Sequence, residues 1–253
     1  MHYELIILPL AAFFAGFVDA AVGGGGLIQV PALLALFPHA PLPTLFGTNK
    51  FSSICGTSLA AYTYIKRVTI PCKLLFNAII TATIFAFLGA KTITLLDPAL
   101  AKPLIIILIF LAAFYTFKKK DFGTSHDDLV VSRENILRSG LIAAGLGFYE
   151  GFFGPGTGSM LIFCFVRFMK IDFLHASAFA KFVNLSANLS PLIYFISTGH
   201  ILWRYALPMA LCNLIGSRLG TNYALKHGNA RVRILFLCVL SLLIAKLIFD
   251  YIK

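Results

Sequence analysis

The chain has 253 residues, of which 59% are hydrophobic and only 12% are charged, and its mean hydropathy is +0.88. Soluble domains carry about 25% charged residues, so this composition excludes an ordinary soluble domain and predicts an all-α polytopic membrane protein. The net charge of +11 does not indicate a nucleic-acid partner, because the basic residues lie in short connectors between apolar runs, as in inner-face membrane loops.

The first apolar segment is interrupted by glycine. Residues 5–22 are apolar and end at a run of four glycines, and residues 27–37 form a second apolar run. Eleven helical residues reach roughly 17 Å, which is too short for a hydrocarbon core of about 30 Å. We therefore predict a broken or re-entrant helix pair over 5–37. Asp19 precedes the break, and an acid inside a bilayer is costly and usually functional.

The rest of the first half predicts three spanning helices, over 44–65, 74–96 and 100–117. A polar segment over 118–134 follows and is the only long hydrophilic stretch in the sequence. We interpret this segment as a cytoplasmic linker between the two halves of the chain.

The second half repeats the order of the first. Residues 135–153 lead to a second glycine-rich break, the apolar run at 157–169 is again short, and three long apolar segments cover 174–197, 203–225 and 229–250. Matching residues recur at a constant offset of 131, from Gly16 and Gly147 to Gly89 and Gly220. The sequence therefore predicts two repeats, 1–117 and 135–253, each with a broken or re-entrant helix pair plus three spanning helices.

The basic residues orient the two repeats oppositely. The connector at 66–73 is basic and is placed inside, whereas its counterpart at 198–203 has neither Lys nor Arg. In the second repeat the connector at 167–170 is basic, whereas its counterpart at 36–43 is not. This pattern predicts inverted-topology repeats with both termini outside. Many secondary transporters have this architecture, with the substrate site at the repeat interface near the midplane.

The two glycine-rich breaks are candidate anion sites. Helix N-termini expose unpaired N–H groups and a partial positive charge, and glycine lets the backbone curl around a small ligand. The alternative is close helix packing, which better explains Gly216 and Gly220. Four adjacent glycines exceed what one packing face needs. The predicted contacts come from Gly23, Gly24, Gly25 and Gly26 in the first repeat and from Gly154, Gly156, Thr157 and Gly158 in the second.

Two polar stripes, each headed by a lysine, are the second candidate feature. Their members share a helical face and are Lys50, Ser53 and Thr57 and, at the same offset of 131, Lys181, Asn184 and Asn188. Asn49 adds an amide beside the first lysine. Either lysine alone could snorkel toward the headgroups. The repetition instead favours an anion path through the repeat interface.

Asp19 and Glu150 are the only acids well inside apolar runs, and they occupy matching positions in the repeats. Three roles are open to them: carrying protons, holding Lys50 and Lys181 in place, or capping the broken backbone. The sequence does not decide between these roles. It shows no catalytic constellation and no metal-ligand spacing, so we expect no enzyme activity, no metal and no cofactor.

The motifs GFVDAAVGGGGLIQVPALL and GTNKF, with GFYEGFFGPGTGSML and AKFVNLSAN in the second half, resemble the TauE/SafE sulfite-exporter family of membrane proteins. The resemblance covers nearly the whole chain apart from 118–134. It implies a multi-pass protein of the cell (inner) membrane whose substrate is a small sulfur-containing anion, and it suggests a homodimer. Pro155 and Thr157 stand where the first run has Gly24 and Gly26, which implies two unequal sites.

The leading functional prediction is a secondary transporter that exports sulfite or an organosulfonate by alternating access. A passive anion channel with the same lining is the alternative. A membrane subunit that only binds a partner ranks last, because the longest polar segment is the one over 118–134. The expected partners are the small anion and the lipid bilayer, without nucleic acid.

Overall fold

The computed structural model describes residues 3–66, 70–97, 99–101, 103–104, 107–108, 111, 131–171 and 173–227, and the regular structure within these residues is α-helical. In chain order its helices are α1 (Glu4–Val22), α2 (Gly26–Leu36), α3 (Leu42–Ile65), α4 (Cys72–Leu95), α5 (Arg133–Phe152), α6 (Thr157–Met169), α7 (Phe173–Ser197) and α8 (Trp203–His227). The predicted span at 229–250 lies outside the described residues, as do most of the span at 100–117 and most of the linker at 118–134.

Both glycine-rich breaks occur where the sequence predicts them. α1 ends at Val22, and Gly23 caps it with φ 79° and donates its N–H to the Asp19 carbonyl at 2.9 Å. The second break contains Gly154 with φ 100° and Gly156 with φ 86°. Glycine adopts these left-handed angles without the clash that a Cβ would cause. The glycines therefore fix the ends of α1 and α5 and the starts of α2 and α6.

Helix lengths follow the predicted pattern of short and long elements. α2 has 11 residues and α6 has 13, whereas α3 has 24 and α7 and α8 have 25 each. Helices of 24 or 25 residues reach about 36 Å, enough for a hydrocarbon core of about 30 Å. Among the described helices, the 18 residues of Glu4–Ala21 and the 24 residues of Cys72–Leu95 are long and apolar enough to cross a membrane. α3 and α7 instead carry several buried polar residues, which lower their mean hydropathy.

The two halves of the chain are interlaced. Among the described helices, the most extensive contacts are between α1 and α8 and between α4 and α5, and each joins the first half to the second. Glycines permit this packing, because Cβ atoms would overlap backbone of the facing helix. The contacts correspond at the offset of 131: Gly16 meets Asn213 where Gly147 meets Ala82, and Gly89 meets Phe148 where Gly220 meets Phe17. Gly216 meets Phe13 in the same way, which confirms the packing role predicted for Gly216 and Gly220.

The distribution of polar and apolar side chains between the interior and the surface is opposite to that of a soluble domain. Large apolar side chains face outward on several helices, among them Ile6, Leu10, Phe76, Ile84, Leu141, Leu211 and Ile215. Many buried positions are polar, including Thr48, Lys50, Thr57, Glu150, Lys181, Asn184, Asn188 and Asn213. An apolar exterior suits contact with lipid, and polar residues in membrane helices face the interior of the bundle.

The connectors gather at two opposite ends of the bundle. At one end, Ile70 packs against the cluster that contains Met169 and Ile171 and against Tyr64 at the end of α3. At the other end, a cavity of about 360 Å³ opens between the connector after α2, the end of α4 and the connector before α8. Its lining includes His39, Leu42, Ile93, Thr94, Ala101 and His200. Residue 70 and residues 169–171 thus lie together, away from the connectors at 38–41 and 198–202.

Candidate functional site

The first buried lysine joins α3 to the second half of the chain. Lys50 is fully buried, and its ammonium donates to Glu150 Oε1 at 2.7 Å and to the Glu150 carbonyl at 2.6 Å. A longer contact of 3.5 Å reaches Asn188 Oδ1 of α7. These acceptors match the three donors of an ammonium group. We call Lys50, Glu150 and Asn188 the Lys50 site.

The second buried lysine makes the corresponding connection in the other direction. Lys181 of α7 donates to Asp19 Oδ2 of α1 at 3.1 Å and to the Asp19 carbonyl oxygen. The Asp19 carboxylate also accepts the Thr57 hydroxyl at 3.3 Å and the Gly25 N–H at 3.4 Å. We call Lys181, Asp19, Thr57 and Gly25 the Lys181 site.

The residues of the two sites correspond at a constant sequence offset. Lys50, Glu150 and Asn188 correspond to Lys181, Asp19 and Thr57 when the two halves are exchanged at the offset of 131. Snorkelling is therefore the wrong explanation for these lysines, since their side chains are only 1% and 2% exposed. Each acid holds a lysine of the other half in place, which was one of the open roles. Unpaired, either charge would be very costly at this depth.

The two chain breaks lie against each other beside these sites. The Ser159 N–H donates to the Gly23 carbonyl at 2.9 Å, and a Cβ on Gly23 would come within 2.4 Å of the Gly158 backbone. Gly26 similarly faces Pro155. Four glycine N–H groups have no acceptor within the part of the chain that the structure describes, those of Gly24, Gly26, Gly156 and Gly158. Free donors from both halves thus meet in one small region.

Comparison with known proteins identifies the family. Residues 8–247 match the family model described as Sulfite exporter TauE/SafE. The chain belongs to the TauE/SafE family. It is 33% identical to the probable membrane transporter protein ORF9 of Sinorhizobium sp, over 97% of this chain and 93% of that protein. It is 31% identical to a probable membrane transporter protein of Haemophilus influenzae, over 97% and 95%, and 30% identical to the probable membrane transporter protein YfcA of Escherichia coli K12, over 96% and 89%. No solved structure matches the chain significantly.

Membership of the TauE/SafE family establishes a membrane transporter protein. The acids and lysines of the Lys50 and Lys181 sites also belong to the sequence motifs that resemble this family. The matched region extends from the second turn of α1 to well beyond α8 and therefore includes both sites.

The remaining predicted residues of this TauE/SafE protein have varied surroundings. Asn184 is buried and accepts both hydrogen bonds of the Asn188 amide, at 2.9 and 3.1 Å. The Thr157 hydroxyl donates to the Gly154 carbonyl at 2.7 Å and so closes the second break. Asn49 is buried, and its Oδ1 has no hydrogen-bond partner among the described residues. Ser53 is half-buried.

The two stripes also do not form separate paths, because Thr57 belongs to the Lys181 site and Asn188 to the Lys50 site.

One buried polar contact was missed by the sequence reasoning. Gln29 of α2 is fully buried, and its Oε1 accepts from Asn213 Nδ2 of α8 at 3.1 Å. The same amide group donates to the Ala12 carbonyl at 3.1 Å, so Asn213 links α8 to both α1 and α2. The sequence does indicate a buried contact here, since Gln29 is the only polar side chain in the short apolar α2. A lone amide in such a helix needs an interior partner.

The contact between the two breaks can be tested with one pair of glycines. We expect Gly23→Ala to destabilise the protein more than Gly199→Ala, by about 1–3 kcal/mol. Both glycines have positive φ, 79° and 73°, so both alanines carry the left-handed strain. Only Gly23 faces backbone, whereas a Cβ on Gly199 meets nothing within 4 Å. Thermal unfolding of the purified variants in detergent measures the difference, and equal losses would show that the breaks are not in contact.

Proposed function

We propose that the chain is a secondary transporter of the cell (inner) membrane that exports a small sulfur-containing anion, sulfite or an organosulfonate, by alternating access. The observation that carries this proposal is the pair of buried lysine–carboxylate sites. Each site joins a lysine of one half to an acid of the other, and the two sites correspond at the offset of 131. The family description, Sulfite exporter TauE/SafE, supports the substrate class.

The chemistry of the sites suits an oxyanion. A sulfite or sulfonate group offers several oxygen acceptors around a negative charge, as a carboxylate does, and ammonium, hydroxyl and backbone N–H donors bind such groups. All three donor types are present around the two breaks, in Lys181, Thr57 and the free glycine N–H groups. An anion that entered here would exchange a carboxylate partner of lysine for its own oxygens.

The arrangement across the halves supports alternating access between inverted repeats. Moving the two halves relative to each other has to break one of these lysine–carboxylate contacts. The two sites can therefore control that movement. The glycine contacts that correspond at the offset of 131 support the repeat itself. Ile70, which belongs to the basic connector of the first half, packs beside Met169 and Ile171, next to the basic connector of the second half. This grouping at one end supports the opposite orientation of the repeats.

An aromatic contact separates the cavity from the Lys50 site and favours a transporter over a channel. Leu42, Phe46 and Lys50 follow one another at intervals of one turn along α3, and Leu42 lines the cavity. Phe46 packs edge-to-face on Phe153, with ring centroids 6.1 Å apart, and both rings are 1% exposed. The packed rings close this route, as alternating access requires of at least one gate at a time.

Sulfite flux in proteoliposomes tests the proposal. We expect Lys50→Ala and Lys181→Ala, singly and together, to lower flux at least about tenfold, since each removes a charge that pairs with anions. Lys91→Ala is the matched control, because Lys91 is an exposed lysine of α4. Equal amounts of reconstituted, folded protein should be compared. Wild-type flux in the double variant would contradict the assigned role of the lysines.

The same liposomes distinguish the transporter from the passive channel. Flux that follows only the electrochemical gradient of the anion, and that ignores an imposed pH gradient, would favour the channel. Flux that a pH gradient drives against the anion gradient would favour the secondary transporter.

A further inference from the structure

The Asp19 carboxylate has the surroundings expected of a bound substrate anion. Its Oδ2 accepts from Lys181 Nζ at 3.1 Å and from the Thr57 hydroxyl at 3.3 Å, and its Oδ1 accepts from the Gly25 N–H at 3.4 Å. These donors come from α7, α3 and the first glycine-rich break. All three were predicted from the sequence as contacts of the transported anion.

The corresponding acid has different surroundings. Glu150 Oε1 accepts from Lys50 at 2.7 Å, and the Thr157 hydroxyl also interacts with this carboxylate. Among the hydrogen bonds of the described residues, no glycine N–H joins this contact. The exposure of the two carboxylate side chains also differs, since Asp19 is 16% exposed and Glu150 only 5%. The Lys181 site is therefore the more accessible of the two and the one with the fuller set of anion donors.

We propose that the Asp19 carboxylate occupies the place of the substrate anion in the Lys181 site, and that an anion binds there when this carboxylate is protonated or displaced. This inference rests on the proposed function and adds how the site is regulated. A second anion beside an ionised Asp19 would face like-charge repulsion at short range in a water-poor interior. Protonation removes that charge and frees Lys181 and Thr57 to bind the substrate. Anion binding and proton binding at this site are thereby coupled.

Few other groups around Asp19 can change their charge. The titratable or charged side chains that face this part of α1 are Lys181 of α7, Tyr64 of α3 and Tyr223 of α8. The Glu150 carboxylate of the Lys50 site also interacts with Asp19 at longer range. α2 has no titratable residue, and α6 faces α1 with Gly158, Ser159 and Met160. Unperturbed tyrosine and lysine side chains titrate at about pH 10 and carboxyl groups at about pH 4, so the dependence of anion binding on pH should follow a carboxyl proton. Asp19 is the carboxyl group that contacts Lys181 and Thr57, and Glu150→Gln separates its contribution from that of Glu150.

Anion binding to the purified full-length protein in detergent tests this inference by calorimetry. Sulfite and methanesulfonate are the probes. Asp19→Asn keeps the shape of the side chain and removes its charge, so we expect it to bind sulfite roughly tenfold more tightly than the wild type. Glu150→Gln is the same chemical change in the other repeat. It should not tighten binding, because among the described residues no glycine N–H completes the donor set around Glu150 as Gly25 does around Asp19.

A pH series on the wild-type protein is independent of how well the variants fold. Methanesulfonate remains a fully ionised anion throughout such a series, so any change in its affinity comes from the protein. We expect its binding to strengthen as the pH falls and this dependence to disappear in Asp19→Asn. Anion binding that is unaffected or weakened by Asp19→Asn would overturn the inference and leave the proposed function standing. A wild type that binds neither probe at any pH would contradict both.

Discussion

Replacing Lys50 by Met is expected to cost the folded protein about 3–5 kcal/mol, because the Glu150 carboxylate would be left buried without a cation. The Lys50 side chain is 1% exposed and that of Glu150 is 5% exposed, so water cannot take over the role of the ammonium group. The Lys50 ammonium also contacts the Glu150 carbonyl at 2.6 Å. Glu150→Gln should have a comparable cost, since it leaves the ammonium as the unpaired charge.

The double variant Lys50→Met/Glu150→Gln provides the decisive comparison. With both charges gone, the total loss should be smaller than the sum of the single losses by about 1–3 kcal/mol. Thermal or denaturant unfolding in detergent measures all three variants, with Lys91→Met on the exposed side of α4 as a control that should unfold like the wild type. Losses that simply add would mean that Lys50 and Glu150 do not interact in the folded protein.

The positions of the breaks and helices could be predicted because they depend on local chemistry. The glycine runs can adopt positive φ, so they end α1 and α5 independently of how the following helices pack. The short apolar run predicted at 157–169 coincides with α6, Thr157–Met169. The break before α2 lies where it was predicted too, with α2 starting at Gly26 rather than after it.

The pairing of charges could be predicted only in part. The sequence places Asp19, Glu150, Lys50 and Lys181 at matching positions of two repeats, which suggests that acids and lysines interact. Whether each acid pairs within its own half or across to the other depends on how the halves interlace. That arrangement follows from close glycine contacts such as Gly16 on Asn213, which involve backbone atoms 197 positions apart and have no periodic signal.

The same limit explains the mixing of the two polar stripes. Helical spacing correctly shows that Thr57 shares a face with Lys50, but a face can contact more than one neighbour along its length. Two turns of helix separate these residues by about 10 Å, so Lys50 meets Glu150 of α5 while Thr57 meets Asp19 of α1. Each stripe therefore contributes to both sites. The sequence alone predicts the stripe, and helix packing determines which of its residues belongs to the Lys50 site and which to the Lys181 site.

Gly151→Ala should have the second large effect, because α5 packs directly on the backbone of α4 at Gly151. A Cβ on Gly151 would lie 1.8 Å from the Ala86 carbonyl oxygen and 2.6 Å from its carbon, both of them backbone atoms of α4. Backbone inside a helix cannot rotate away as a side chain can, so the two helices would have to separate. Overpacking of this kind typically costs about 1–3 kcal/mol, and a backbone clash this close should reach the upper end.

The control for Gly151→Ala lies on the same helix. Gly145 is exposed, and a Cβ there meets nothing within 4 Å. Gly145→Ala should therefore be neutral or stabilise α5 by up to about 1 kcal/mol, since alanine favours a helix over glycine. The two variants make the same chemical change six residues apart, so helix propensity cannot explain an opposite result. Because Gly151 adjoins Glu150, separation of α4 and α5 should also loosen the Lys50 site and lower sulfite flux. A Gly151→Ala protein as stable as Gly145→Ala would mean that α4 and α5 are not packed this closely.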